Sequence, residues 1–336
     1  MKCRLWHRAQ FVLEMEKRLH SDMPASRKGE RMELHNFEEL MHMSSSMGKK
    51  CTMAVAGAGI ASAIDAVLDA YDNKVADAIL VGEKDTIRSL LRERGRNPAD
   101  FNIVQTVEGQ NPAETAVEII KKGDANFLLK GMVETSDLFR PVVKKENGLR
   151  TGRTISHVAF YQLPFYHKLL ITTDGGVCAY PDLNKKKDII LNAVDTLRCL
   201  GYEKPKVAVL CCKEHVDEHM PETQDAFALK EMCLRGEMGD CYVEGPISYD
   251  LAMSRERAAI KKYQNPYCGD FDVLVAPNVH AGNILGKCLE LLPGISMASY
   301  VAGAKIPIVL TSRAAPAEEK LRCITLAGIV AAHQRV

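Results

Sequence analysis

Several features that mark broad protein classes are missing from this chain. It holds a single tryptophan, no CxxC cysteine pair, and no apolar run approaching the ~20 residues needed to span a bilayer. Net charge is nearly absent as well, with 44 basic against 43 acidic side chains. That balance excludes a global field that would draw in nucleic acid or an anionic membrane, so any anion recognition is expected to be local. The 11 cysteines are odd in number and scattered, which argues against a secreted disulfide scaffold and for reduced thiols in a cytosol. There is no repeat of fixed period and no low-complexity tract.

What is present is enough for a large core: 46% of 336 residues are apolar, and a chain of this length more often divides into two units than it forms one. The first 31 residues are basic, contain the sole tryptophan and lack a signal-peptide apolar core. They read either as one amphipathic helix or as an extension before a start at Met32, and they stand outside the fold.

From residue 52 short apolar runs alternate with stretches of helical period. The runs are TMAVAG, DAILVG, FNIVQTV, NFLLKGM, KLLITTDGG, KVAVLCC, DCYVEGP, DVLVAPN and IPIVLTS. Segments 60–75, 112–122, 184–200, 222–235 and 317–332 carry apolar residues at i, i+3, i+4 and i+7. The alternation predicts an α/β fold of βαβ units with mainly parallel strands. Ligands of open α/β sheets gather at strand carboxyl ends, so chemistry is sought there. The rhythm breaks over 141–166 and again near 300. These breaks divide the chain into 32–154 with 301–336, and 155–300.

Four stretches invite a site. AVAGAGIASAIDAV at 54–67 is close to a dinucleotide fingerprint, but Ser62 falls where a third glycine or an alanine is required, and an ordinary strand-to-helix turn is the stronger reading. HVDEH at 215–219 lacks the Glu of a zincin helix, and Cys211 and Cys212 read as buried thiols; no metal is expected. In KGMVETSDLFRPVV, Thr135, Ser136 and Asp137 form an N-cap cluster with Arg140 one turn on, a set suited to phosphate or equally to a capped helix. Finally Ser312 and Arg313 follow the last apolar run, with Glu318 and Glu319 near the start of the last helix. A carboxylate there either complements the helix dipole or serves as a base. The basic turn GLRTGR adds Arg150 and Arg153, which read either as an exposed basic loop, the commoner case, or as a holder of a second phosphate group, and the Lys185–Lys187 run reads as a solvated helix face.

Taken in order, the blocks KGMVETSDLFRPVV, NGLRTGRTISHVAFYQLP, TDGGVCAYPDL, PKVAVL, MPETQDA, VEGPISYDLAMS, PNVHAGNIL and GAKIPIVLTSRAAPAEEKL resemble the phosphate acetyltransferase and phosphate butyryltransferase family, more closely its butyryl branch. The resemblance spans roughly residues 35–330. It implies two Rossmann-like α/β domains around a cleft, similar to the isocitrate and isopropylmalate dehydrogenases. It also implies a cytoplasmic homodimer, and reversible transfer of a short acyl group between acyl phosphate and coenzyme A. Coenzyme A and inorganic phosphate are then substrates, with no tightly bound cofactor and no metal. Acetyl transfer, or a non-catalytic paralogue that binds the same ligands, is the alternative.

Residue by residue, the resemblance places phosphate-binding groups at Thr135, Ser136 and Arg140, a cleft-lining pair at Gly282 and Asn283, and catalytic groups at Ser312, Arg313 and Glu319. In this reading Glu319 is the base, in a position where Asp is usual. Ser312 donates to the oxyanion, and Arg140 with Arg313 holds the phosphate. Arg153, with Arg150, is expected at a rim for the phosphates of coenzyme A. Departures from the family pattern fall at Ala315 and Pro316, where a carboxylate and a hydroxyl are usual, at Cys178 and at Glu222.

Overall fold

The computed structural model describes residues 33–48, 50–107, 109–312 and 315–334; the basic extension 1–31 lies outside them. Among the described residues there are eleven α-helices and eleven strands, and all the strands join one sheet. All nine apolar runs become strands: β1 (Cys51–Ala56), β2 (Ala76–Gly82), β3 (Asn102–Gln105), β4 (Phe127–Lys130), β6 (Leu170–Thr173), β7 (Lys206–Leu210), β8 (Tyr242–Ile247), β9 (Val273–Val275) and β11 (Ile308–Val309). The two breaks in rhythm supply the others, β5 (Ser156–Gln162) and β10 (Ser296–Ala302). The order across the sheet is β3-β2-β1-β4-β11-β10-β5-β6-β9-β7-β8.

The helices, in chain order, are α1 (Phe37–Ser46), α2 (Ala61–Asp72), α3 (Lys84–Glu93), α4 (Pro112–Lys121), α5 (Thr135–Val143), α6 (Leu183–Cys199), α7 (Pro221–Leu234), α8 (Tyr249–Met253), α9 (Arg255–Ile260), α10 (Val279–Glu290) and α11 (Ala317–His333). Their starts follow local rules. The Asn111 side chain accepts from Ala113 N with Pro112 as the first helical residue, and Asp182 and Asn278 cap α6 and α10 in the same way.

Strand direction organises the molecule. β1 to β4 and β11 are mutually parallel, as are β6 to β9, but β10 is antiparallel to both β11 and β5, and β5 is antiparallel to β6. The two parallel sets therefore run in opposite directions, and their carboxyl ends lie at opposite edges of the sheet.

The core follows the same division. One face carries a continuous apolar layer from α1, α2, α6, α7 and α11. The other is covered in two separate pieces. Ala113, Val117 and Leu138 of α4 and α5 pack on Ala54, Leu128 and Ile308, whereas Leu251, Ala258 and Leu289 of α8, α9 and α10 pack on Ala159, Leu170 and Leu274. The antiparallel seam lies where the two pieces meet, with Val301 of β10 in the first and Ala159 and Tyr161 of β5 in the second.

One expectation is corrected here. Lys186 of the lysine run is buried and paired with Asp225 at 2.7 Å, because the α6 face it occupies packs against α7. Among the described residues no helix is long and apolar enough to cross a membrane.

Candidate active site

β11 lies beside β4 with Val309 opposite Leu129, so the chain from Leu310 to Ser312 and the chain from Lys130 to Glu134 leave the sheet side by side. Glycines set the second loop. Gly57 has φ +75 and a Cβ there would approach the Met132 carbonyl oxygen to 2.6 Å, while Met132 N donates to Gly57 O at 2.6 Å. Gly57, the first glycine of the stretch that resembled a dinucleotide fingerprint, thus admits the backbone of the neighbouring loop.

That loop opens α5. Its cap is Glu134, whose side chain makes no capping bond; Thr135, Ser136 and Asp137 are the first helical residues, a correction to the expected cap cluster. Thr135, Ser136 and Arg140 are exposed. Arg140 pairs with Asp137 at 3.0 Å and lines a cavity of about 580 Å³ with Asn111, Met132 and Glu134. Hydroxyls, helix start and guanidinium therefore share one open end, with Asp137 as the resting counter-ion.

A second cavity, about 210 Å³, lies at the seam between β5 and α10. Its floor is the sheet: His157, Ala159 and Tyr161 alternate along β5, joined by Thr172 of β6, Val301 of β10 and Leu310. Its wall is α10, which presents Gly282, Asn283, Gly286, Lys287 and Glu290. Asn283 Nδ2 donates to Gly175 O at 3.0 Å. Gly282 has no room for a side chain, because a Cβ would overlap the Asp174 carbonyl oxygen. Asp174, buried, gathers the N–H groups of Gly176, Val177 and Cys178 at 2.7, 3.0 and 2.9 Å and so shapes the turn against which α10 rests. Lys287 Nζ pairs with Glu290 at 2.7 Å. Burial holds the His157 imidazole below its ordinary pKa despite Asp174 and Glu290, so its neutral form is favoured.

Glu319 lies in the first turn of α11 and is half-buried. Burial raises its carboxyl pKa, repulsion from Glu290 adds to this, and Arg322, Lys287 and Lys320 oppose it. Burial pushes the Tyr161 phenol up, and Glu290 and Glu319 act in the same direction. A carboxylate ionised against its surroundings is a stronger proton acceptor than a free one. Ser312 is exposed, and its carbonyl accepts the Ala315 N–H at 3.1 Å. Arg313 lies outside the described residues, as does Ala314.

Other expected positions fall elsewhere. Arg153 lines a separate cavity of about 400 Å³ with Asn192, Tyr300 and Lys305, and Asp195 pairs with it at 2.5 Å. Glu222 lines an apolar cavity on the other side of α10 together with Cys211 and Cys212. Cys212 is exposed rather than buried, since β7 ends two residues earlier and the thiol leaves the sheet. His215 and His219 lie in an irregular segment and share no helix face. Glu33, His167 and Asp270 could converge on a cation, but Lys206 Nζ already lies 3.1 Å from Glu33 and 2.6 Å from Asp270, with Lys168 Nζ 3.0 Å from Asp270, so the acids are neutralised.

Sequence reasoning did not single out His157, Tyr161, Lys287 and Glu290. A signal was present: Asn283, Lys287 and Glu290 fall at i, i+4 and i+7, a polar stripe directly beside the flush Gly282 and Gly286.

Residues 82–328 match the family model described as phosphate acetyl/butaryl transferase. The chain is similar to the phosphate butyryltransferase of Clostridium acetobutylicum, at 39% identity covering 90% of this chain and 100% of that one. It is also similar to the phosphate acetyltransferase of Thermotoga maritima, at 36% identity over 88% and 99% of the two chains. Among solved structures, a branched-chain phosphotransacylase from Enterococcus faecalis V583 superposes with a TM-score of 0.74 at 28% identity, covering 85% of this chain and 100% of that one.

Proposed function

Since this chain belongs to the phosphate acetyl/butaryl transferase family, we infer that it transfers a short-chain acyl group, butyryl or a related chain, reversibly between acyl phosphate and coenzyme A. It is a phosphate acyltransferase, and inorganic phosphate is the co-product. The observation that carries the site assignment is Glu319: a half-buried carboxyl, made more basic by burial and Glu290, in the first turn of the helix that follows β11 and Ser312 in the chain.

The chemistry needs a thiolate, and an unperturbed thiol has a pKa near ~8.5. In our reading Glu319 takes the proton from the coenzyme A sulfur. The sulfur attacks the acyl carbonyl, a C–S bond forms, and the carbonyl electrons move onto oxygen, where the Ser312 hydroxyl donates. Collapse of that oxyanion breaks the C–O bond to phosphate, and the proton held by Glu319 returns to the departing phosphate. Thr135, Ser136, the start of α5 and Arg140 hold the phosphate, with Arg313 on the side of β11. In this scheme the thiol attacks directly, without an acyl-enzyme. Gly282 and Asn283 border the cleft, and Arg153 belongs to the coenzyme rim once Asp195 releases it.

We extend the same reading to two lobes, 32–154 with 301–336 and 155–300, to a homodimer, and to action in the cytoplasm. The test is thiol consumption and phosphate release with acetyl, butyryl and branched acyl phosphates plus coenzyme A. Turnover with at least one is expected; no turnover with any of them would remove the reading.

A further inference from the structure

We propose that Cys233 and Cys241 form a reversible thiol–disulfide centre: a hydroperoxide oxidises the pair to an intramolecular disulfide, and a thiol reductant restores it. The proposal is independent of the acyl-transfer reading above.

Cys233 lies in the last turn of α7, and Cys241 immediately precedes β8. They are eight positions apart in the chain, and their sulfurs are in contact at 3.9 Å. A disulfide needs about 2.05 Å, so the bond requires side-chain rotation and a small shift of the turn between them. That turn has the freedom to shift. Leu234 to Glu237, Gly239 and Asp240 are exposed, and nothing lies within 4 Å of the place a Cβ on Gly236 would take. Gly236 and Gly239, at φ +79 and +68, let the chain reverse sharply enough to bring the second thiol back to the first. The bond from Cys241 N to Gly239 O at 2.9 Å and the buried Met238 hold the returning segment in place.

The two thiols are unequal, as an attacking and a resolving sulfur must be. Cys233 is half-buried and open to a small oxidant, whereas Cys241 is buried behind it. Burial pushes the thiols of Cys199, Cys211 and Cys323 up to about 11, 12 and 12. Cys233 goes the other way, to about 7, because its sulfur accepts a hydrogen bond from Cys241; Val243 N–H and the Lys204 cation add to this against burial. The same contact and burial hold Cys241 up. At neutral pH Cys233 thus supplies the thiolate, which is the form that reacts with peroxide.

The step balances with hydrogen peroxide as oxidant. The Cys233 thiolate attacks one peroxide oxygen, the O–O bond breaks, and the hydroxide that leaves takes up the proton Cys233 had lost. The Cys241 sulfur then attacks the Cys233 sulfenic acid. An S–S bond forms, the S–O bond breaks, and the oxygen leaves with the Cys241 proton as a second water. Two electrons pass from the pair to the peroxide. A dithiol reverses the bond by exchange.

The experiment treats the reduced full chain with a stoichiometric amount of hydrogen peroxide at neutral pH, alkylates the remaining thiols and maps them by peptide mass spectrometry. The expected result is the loss of two alkylatable thiols, at Cys233 and Cys241, found in one linkage that dithiothreitol opens, while the exposed Cys212 and Cys288 are still alkylated. Cys241→Ser should stop at a sulfenic acid on Cys233 that dimedone captures, and Cys233→Ser should leave Cys241 alkylatable. Cys233 and Cys241 still alkylated while Cys212 and Cys288 are consumed, or either sulfur joined to a different cysteine, would overturn the centre. Melting temperatures report folding, and the wild-type map decides the matter if a variant does not fold. The readout is thiol chemistry, so a chain silent in acyl transfer tests it equally well.

Discussion

α5 and α11 begin just beyond neighbouring parallel strands, yet the two helix starts present opposite chemistry. At α5 the chain offers exposed Thr135 and Ser136 and an arginine already paired with Asp137 at 3.0 Å. At α11 it offers two acids, one of them half-buried. A helix N-terminus favours negative charge and on its own would make a carboxyl more acidic. Glu319 goes the other way, because burial and Glu290 outweigh the dipole and the cations of Lys287, Lys320 and Arg322. An open end with spare donors suits the capture of a solvated dianion. A half-buried acid of raised pKa suits proton transfer. The division between binding and chemistry thus follows from exposure rather than from residue type alone.

Three substitutions sharpen or break that contrast. Glu319→Gln is expected to lower kcat by about 100-fold or more, within the range for removing a general base, while coenzyme A still binds. Its melting temperature at neutral pH should not fall. A carboxyl whose folded pKa lies above its unfolded value contributes stability below the unfolded pKa and loses it as pH rises through the folded one, so at neutral pH the ionised Glu319 opposes folding. A destabilised, still active variant would reverse the contrast. Arg140→Gln should act mainly on KM for phosphate, by about tenfold or more, the loss expected for a charged hydrogen bond, with a smaller change in kcat; equal KM in the two proteins would take Arg140 out of phosphate binding. The smallest effect is expected from Glu290→Gln, which removes a repulsive neighbour and should move the acid limb of the kcat/KM profile to lower pH. An unmoved limb would leave burial as the sole cause.

Much of the fold was legible in the sequence. The stretch 317–332 became α11 (Ala317–His333) and 184–200 became α6 (Leu183–Cys199), because helical periodicity over long amphipathic runs is a strong signal. The seam was not legible. SHVAFYQ and SMASYVA lie in the two breaks of the rhythm, and strand direction and partner are settled by the whole sheet, so the opposed polarity of the two parallel sets could not be read locally. The glycines at 57, 131 and 282 were visible as residues but their cause was not. Each admits the backbone of a segment distant in sequence, as with Gly282 against Asp174. The pairing of Arg153, expected at a rim for coenzyme A, was not legible because its counter-ion, Asp195, lies 42 residues further on.

The assignment of Glu319 is tested most directly by the pH dependence of kcat/KM for coenzyme A in the wild type and in Glu319→Gln. The wild type should lose activity as pH falls through an apparent pKa above the ordinary glutamate range, and that limb should be absent from the residual activity of the variant. The same limb in both proteins would show that another group takes the thiol proton and would contradict the account.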